Sequence, residues 1–526
     1  MTASTIAPYQ SGQRGGRGGF AALLHAEWTK FRTVRGWVIA MIVAALVTVG
    51  FGLLGQDSCS VGNAACTLPL GPGGEAVADS FYFVRQPLAG NGSVTVRVTS
   101  LTGLIPNASS SGRVQAGTYQ NTANMHSGLE AWSKAGIIIE KNTSQGSAYA
   151  AMMVTGAHGV RMQYDYTQDA PGLAGAVSAA SPRWLRLTRS GDTITGYDSA
   201  SGTHWTKVGT VALPGLLPTV QAGLFAASPM YTQVVSASLG GSTAHVGPSL
   251  ATAAFDRVGL QGRWAGGWSG ADMGGQNGMY PQVPGGFRQS GDGFTVTGSG
   301  DVAPDVPGSA GGGVGIGQAL IGTFAGLIVV VVVGTLFITA EYRRGLIRTT
   351  LTASPRRGHV LLAKATVTGL VTFVVGLVAT AVALPVEERH IRSGGSFIYP
   401  VSTLTEVRLV AGTAALLAVA AILALAIGAV LRRSAVAVTV VIVVIVAPYI
   451  LSAVLSAGVS QWLLRVTPAA GFAVHQAYPK YPQLGIDYAS AMGYYPLAPW
   501  AGFAVLCGWA AAALALAVLL LRRRDA

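Results

Sequence analysis

"LIVVVVVGTLFITAEYRRGLIRTTLTASPRRGHVLLAK", Leu327 to Lys364, sets a charge-free apolar run against a short basic one. The apolar part extends back to about residue 315. A hydrocarbon core about 30 Å thick is crossed by about 20 apolar residues in a helix, so 315–340 is long enough to span a bilayer. Six cations follow, Arg343, Arg344, Arg348, Arg356, Arg357 and Lys364, with one carboxylate, Glu341. Apolar sequence then resumes. The stretch reads as a chain that leaves a membrane, turns on a basic surface and re-enters.

The same pattern recurs along the 526 residues, of which half are apolar and 10% charged; soluble domains are nearer 25% charged. Six spans are expected, at roughly 37–55, 315–340, 365–385, 408–431, 435–456 and 498–521, none with a charge in its interior. Arg14, Arg17, Lys30, Arg32 and Arg35 precede the first, Arg432 and Arg433 separate the fourth from the fifth, and Arg522, Arg523 and Arg524 follow the last. With the opening stretch, these segments fall on one side of a six-span topology. They hold sixteen cations and three anions (Glu27, Glu341, Asp525), a net +13 that equals the formal charge of the whole chain. Basic flanks mark the cytoplasmic side. The expectation is a plasma-membrane protein with both termini inside, its basicity topological and not a nucleic-acid footprint. The first apolar run is too long for a signal-peptide core and lacks a clear small-x-small cleavage site.

Residues 1–19, rich in Gly, Ser, Gln and Arg, read as a disordered tail. "FAALLHAEWTKFRTVR" (20–35) places Phe20, Leu23, Leu24, Trp28 and Phe31 at helical spacing on one face. It is expected to lie along the inner membrane surface with Trp28 at the interface, leading into span 1. Cys507 falls in the last span. Cys59 and Cys66 lie just beyond the first, where a disulfide between them would close a small loop.

Residues 56–302 are too many for a loop. Val94, Val96 and Val98 alternate with Thr95, Arg97 and Thr99, and Val160, Met162 and Tyr164 alternate with Arg161, Gln163 and Asp165. "RWLRLTRSGDTITGYDSASGTHWTKVGTVAL" (183–213) reads as three or four strands, with turns at Ser190-Gly191-Asp192 and Ser201-Gly202. Short strands at this spacing indicate a sandwich or jelly roll, with a core at about 80–260. "APDVPGSAGGG" (303–313) reads as a flexible tether back to the membrane. The fold class expected is therefore an α-helical multi-pass membrane protein with six spans, plus an extracytoplasmic all-β sandwich inserted between spans 1 and 2. Residues 315–526 form a five-span region, with a re-entrant or surface-lying helical hairpin expected near 457–497. "FYFVRQPLAGNGSVTVRV" (81–98), "WSKAGIIIE" (132–140), "VQAGLFA" (220–226) and "FDRVGL" (255–260) resemble the concanavalin-like jelly-roll domains found beside bacterial glycoside hydrolases.

No G-x-x-x-x-G-K-[ST] occurs, so the chain carries no P-loop; "GGRGGF" (15–20) lacks the Lys and the preceding strand. No Cys/His spacing suits zinc. Glycoside hydrolysis needs two facing carboxylates. Glu140, Asp165, Asp169, Asp192 and Asp198 are candidates by type only and read as surface or turn residues. With no buried ionisable group expected in the spans, ion-coupled transport is disfavoured. The chain itself is expected to perform no catalysis and to bind no cofactor or metal.

The basic stretch then becomes the candidate site. Read as a helix over 341–353, Tyr342, Leu346, Ile347 and Leu351 share a face, Glu341 can pair with Arg344 three residues on, and Ser354-Pro355 ends it. "EYRRGLIRTTLTASPRRGHVLLAK" closely resembles the loop between the second and third spans of the type-2 ABC-transporter permease family. There Glu, then Gly-x-Ile-Arg-x-Thr-Leu, then Ser-Pro-Arg-Arg, then Ala-Lys is common. "HAEWTKFRTVRGW" (25–37) is similar to the helix before that family's span 1, and "RVTPAAGF" (465–472) to its outer segment before the last span. The resemblance implies a permease, an exporter component, that dimerises as a homo- or heterodimer and docks on a soluble ATPase subunit that binds the ATP. It places Glu341, Tyr342, Arg344, Gly345, Ile347, Arg348, Ser354, Arg356 and Arg357 at the coupling surface, beside Glu27, Trp28, Lys30 and Arg32. The large outer insert departs from the family's short first outer loop. The rival reading is a membrane-tethered protein binding extracytoplasmic glycan through exposed Trp205, Tyr197 and Trp132.

Overall fold

The computed structural model describes residues 19–54, 60–61, 64–107, 124–236, 242–274, 283–309, 311–346, 356–455, 457–486 and 488–523. Helix α1, Phe20–Thr33, stops where Val34 turns extended, and α2, Arg35–Gly52, follows at once. The remaining long helices are α3 (Gly322–Arg343), α4 (Arg357–Ser393), α5 (Thr403–Leu431), α6 (Ser434–Ser452) and, after the short α7 (Ala457–Val466), α8 (Pro499–Arg523). Six helices, α2 to α6 and α8, are long and apolar enough to cross a membrane. Helix α5 is the hub: Leu409, Leu416, Leu417, Ala420, Leu423 and Ala424 are all buried, and its small residues let α3, α4 and α8 approach closely. Gly334 of α3 shows how close, because a Cβ there would meet the Ala421 carbonyl oxygen at 2.6 Å.

Helix α4 is the longest, 37 residues, about 55 Å at 1.5 Å per residue. It therefore overruns the expected 365–385 at both ends and buries an ionisable side chain at each, Lys364 and Glu387. The expectation of no buried charge holds for 365–385 but not for the helix. The Glu387 carboxyl packs where Gly52 of α2 leaves room for it.

Among the described residues, the insert is built on a rolled antiparallel sheet of fourteen strands, with three two-stranded pairs beside it. We label β1 (Phe81–Pro106), β2 (Lys134–Glu140), β3 (Tyr149–Thr155), β4 (Val160–Tyr164), β5 (Gln168–Pro171), β6 (Arg183–Ser190), β7 (Thr193–Ser199), β8 (Thr206–Ala212), β9 (Thr219–Ala227) and β10 (Leu250–Trp264). The order is β8-β7-β6-β1-β9-β2-β3-β4-β5, with β10 also paired to β1. Strand β1, 26 residues long, runs through the whole sheet and bends as its partners change from β9 to β6 and β10. The period-two reading is right in detail: Val94, Val96, Val98, Leu185 and Leu187 are fully buried, and the residues between them face away from that core. Gly191 and Gly202 turn the hairpins with φ of 62° and 79°.

Two connections differ from expectation. The 303–313 segment is packed and not a free tether. Val302–Pro304 pairs with Val77–Asp79. The buried Asp305 accepts a 2.6 Å hydrogen bond from the Tyr399 hydroxyl. Val306, Val314 and Ile316 join an apolar cluster with Leu68, Tyr399 and Tyr478. The valines and isoleucine between the glycines supply apolar surface that composition alone hides. Near 457–497, α7 leads into a 3-10 segment, Pro468–His475, whose eight residues are all buried against α8 and α5. Gln483 then donates to the backbone carbonyls of Tyr166 and Thr167, seating the sandwich on this segment.

Candidate functional site

Among the described residues, the helix that carries Glu341 does not continue into the basic stretch; 347–353 of the expected 341–353 helix lie outside the described residues. Helix α3 ends at Arg343 because Gly345 takes a left-handed φ of 68°, with its N–H bonded back to the Tyr342 carbonyl. Glu341 is thus the last buried residue of α3. It pairs not with Arg344, which is exposed, but with two lysines brought from elsewhere.

The central group is Lys364, two turns into α4 and fully buried. Its ammonium lies 2.6 Å from Glu27 Oε2 and 2.7 Å from Glu341 Oε1. It also sits 4.6 Å from the centroid of the Phe337 ring. Lys30 completes the cluster, 2.7 Å from Glu27 Oε1 and 3.2 Å from Glu341 Oε1. Two ammoniums alternate with two carboxylates, so the cluster is formally neutral. Burial lowers the Lys30 pKa, but the Glu27 and Glu341 carboxylates outweigh it and hold the ammonium above the usual lysine value. Beneath the cluster, Phe337 meets Phe31 and Trp37 edge to face, at 5.4 and 5.9 Å between centroids, and closes off the apolar core.

Helical spacing explains the α1 side. Glu27 and Phe31, four residues apart, form its buried face, while Lys30 reaches back to Glu27 from three residues on. Trp28 lies off that face and is 43% exposed. The geometry ties α1, the end of α3 and the start of α4 into one ion-paired unit. Breaking a buried pair of this kind costs about 3–5 kcal/mol, because the partner charge is left uncompensated.

Two other cations at this end have partners in the bundle. Arg432 lies over the Tyr342 ring, 5.0 Å from its centroid, and Arg357 donates to the Leu521 carbonyl of α8 at 2.9 Å. Arg32, Arg343, Arg344 and Arg356 are exposed around the neutral cluster. Ile347, Arg348 and Ser354 lie outside the described residues. Sequence reasoning counted Lys364 only as a flanking cation. Its signal was a lone Lys with Val360, Leu361, Val367 and Thr368 at helical spacing, all of them buried.

At the opposite end of the bundle is a cavity of about 340 Å³, lined by Phe51, Ile321, Phe324, Ile450 and Met492, with His475 at its polar side. His475 is itself held by Thr413, 3.0 Å away.

Residues 21–526 match the family described as ABC-2 family transporter protein. The chain belongs to that family. It is a multi-pass membrane permease subunit of an ABC transporter, and the match includes the insert. None of the curated proteins matches significantly. Among solved structures, a scytalido-glutamic peptidase bound to a transition state analog inhibitor is 10% identical over 42% of this chain and 98% of its own, with a TM-score of 0.25. A functionally unknown protein from Saccharomyces cerevisiae is 12% identical over 39% and 86%, at 0.22. The GH43 protein BlXynB from Bacillus licheniformis is 16% identical over 33% and 28%, at 0.18. Scores this low carry no argument about the permease.

The sandwich carboxylates named from sequence are not a facing pair on an open surface. Asp169 is held by Arg161 and Gln163, Asp198 accepts from the Leu173 N–H at 2.6 Å, and Asp192 caps the Gly215 N–H. Glu140 and Asp198 are buried, against expectation, and burial raises the pKa of both, as it does that of the turn residue Asp165. Trp132 is buried too, stacked on His158 at 3.9 Å, so it cannot belong to an exposed sugar platform. Trp205 and Tyr197 remain partly exposed. Cys66 is disulfide-bonded and Cys507 is free; Cys59 lies outside the described residues. Among the described residues no group of three His, Cys, Asp or Glu side chains is placed to hold a metal.

Proposed function

We propose that this permease is the membrane-spanning part of an ATP-driven exporter, powered by a soluble ATPase subunit that docks at the basic end of the bundle. The observation that carries the reading is Lys364, buried between Glu27 and Glu341. It couples α1, α3 and α4, and the last two flank the basic connection at 344–356. A push on that connection is therefore delivered to three helices together and not absorbed in a loose loop. The exposed Arg32, Arg343, Arg344 and Arg356, with Arg348, supply the docking charge, and the rigid cluster behind them supplies the lever. The basic flanks support a cytoplasmic position for this end and an outer one for the sandwich. Two permeases, alike or different, then alternate between inward- and outward-open forms. The largely apolar cavity near Phe324 and Ile450 favours an apolar or amphipathic cargo.

The test is purification from native membranes in mild detergent. The reading expects a stoichiometric soluble partner carrying a P-loop, with recovery falling about tenfold in Arg344→Gln/Arg348→Gln/Arg356→Gln while the permease still inserts. Undiminished recovery in that variant would remove the docking assignment.

A further inference from the structure

The sandwich carries a second built surface. Across the outward side of β10-β1-β6-β7-β8, the register lines up Asp256, Arg97 and Trp184 in one row and Thr95, Arg186, Tyr197 and Lys207 in the next. Their in-line neighbours Val94, Val96, Val98, Leu185 and Leu187 are fully buried, so the two rows face away from the core. Arg186 lies over the Trp205 ring, 3.9 Å from its centroid. Arg97 and Arg257 both lie over Trp184, at 5.7 and 5.8 Å. Arg257 reaches that position from a register slip between Asp256 and Gly259, where its own φ is 49°. A non-glycine residue held there is strained, and the bulge aims its side chain at the patch.

Four cations face one carboxylate. Arg97 is committed to Asp256, through Nε at 2.7 Å and Nη2 at 2.5 Å. Arg186 spends Nε on Thr95 at 3.1 Å. Among the described residues, both of its Nη groups, Arg257 and Lys207 have no protein acceptor. The two arginines are thus held over indole rings and left open to an outside acceptor, the arrangement that recognises carboxylate or phosphate oxygens. The five strands make a strip about 19 Å across at 4.8 Å per strand. Two indoles supply apolar faces, and the strip is edged by the hydroxyls of Thr188, Thr195 and Thr210.

We propose that this face binds an acidic polysaccharide, its carboxylate or phosphate groups on Arg186 and Arg257 and its sugar faces against Trp184 and Trp205. A long face that sets fixed cations beside partly covered rings and a row of hydroxyls suits a linear, hydroxyl-rich anion. The proposal does not depend on the transport reading.

Hydroxyl-radical footprinting of the full chain in neutral-lipid nanodiscs tests it, because the readout is local and the basic residues at the far end of the bundle do not enter it. With polygalacturonate or phosphomannan at low salt, oxidation of Trp184, Trp205 and Tyr197 should fall about threefold. The protection should disappear with added salt and in Arg186→Gln/Arg257→Gln, read as the ratio with and without glycan. Arg257→Gln alone keeps the Arg186–Trp205 stack and should halve the protection. Dextran should give none. No protection by either acidic glycan, equal protection by dextran, protection that survives in the double variant, or protection by phosphatidylglycerol vesicles alone would each overturn the proposal.

Discussion

The bundle and the sandwich each bury one lysine completely, and the two are wired differently. Lys134, on β2, gives one hydrogen bond to Asp301 at 2.6 Å and another to the Val302 carbonyl at 2.8 Å. Both partners belong to the segment by which the chain leaves the sandwich, so Lys134 fastens one domain's exit strand to its own sheet. Lys364 instead bridges carboxylates from two other helices and shares both with Lys30. The same side chain at the same burial closes a domain in one place and joins separate elements in the other. What marks a transmission point is the set of elements a buried charge connects, not the burial itself.

The comparison breaks most easily at Lys364. Lys364→Met should destabilise the detergent-solubilised protein by about 3–5 kcal/mol, because Glu27 and Glu341 are left to share the part-exposed Lys30 and one buried negative charge goes uncompensated. Glu27→Gln/Glu341→Gln/Lys364→Met should recover most of that loss, since the one charge that remains, on Lys30, has a side chain 41% exposed and reaches water. Thermal unfolding of both variants checks this; a triple variant as unstable as the single one would show that packing, not charge, dominates the site. At Lys134 the expected cost is smaller, about 1.5–3 kcal/mol, because one carboxylate and not two loses its buried partner. Lys134→Met should raise protease sensitivity near 301–306 and leave ATPase recovery unchanged. If it lowered recovery as Lys364→Met does, the two lysines would not be doing different jobs.

A subtler effect belongs to the junction between the regions. Burial raises the Asp305 pKa to about 7, against the lowering effect of the Tyr399 hydroxyl, and burial likewise raises Asp79 to about 6. Both lie above the unfolded value near 4, so the folded junction holds protons that the unfolded chain releases. Its stability is full below about pH 4 and declines as pH rises through 7. The melting temperature should therefore be lower at pH 8 than at pH 5, and Asp305→Asn should shrink that difference. An unchanged difference would mean Asp305 does not contribute to it.

Much of this architecture was legible in the sequence. Apolar runs gave the six helices, because a bilayer demands length and leaves no room for charge. Alternation of Val94, Val96 and Val98 gave the sandwich, because a sheet with one buried face must alternate. The site was half legible. Glu27 with Lys30 is a helical pair visible on inspection, and the family-like loop pointed to Glu341. Lys364 was not visible as its partner, since Glu27 lies 337 positions away and Glu341 23 positions away. Sequence displays a charge but not what neutralises it across a fold. The same blindness put Glu140 and Asp198 on a surface they do not occupy, and missed the stacking of Arg186 on Trp205, which arises only when β6 and β8 share a sheet.

The most direct test of the central claim is cargo-stimulated ATP hydrolysis by the assembled complex carrying Glu27→Gln/Glu341→Gln/Lys364→Met. The account predicts a complex that assembles with its ATPase and keeps basal hydrolysis, yet loses stimulation because α1, α3 and α4 no longer move as one. Stimulation equal to the unmodified complex would contradict it and reduce the cluster to a fastening of the same kind as Lys134.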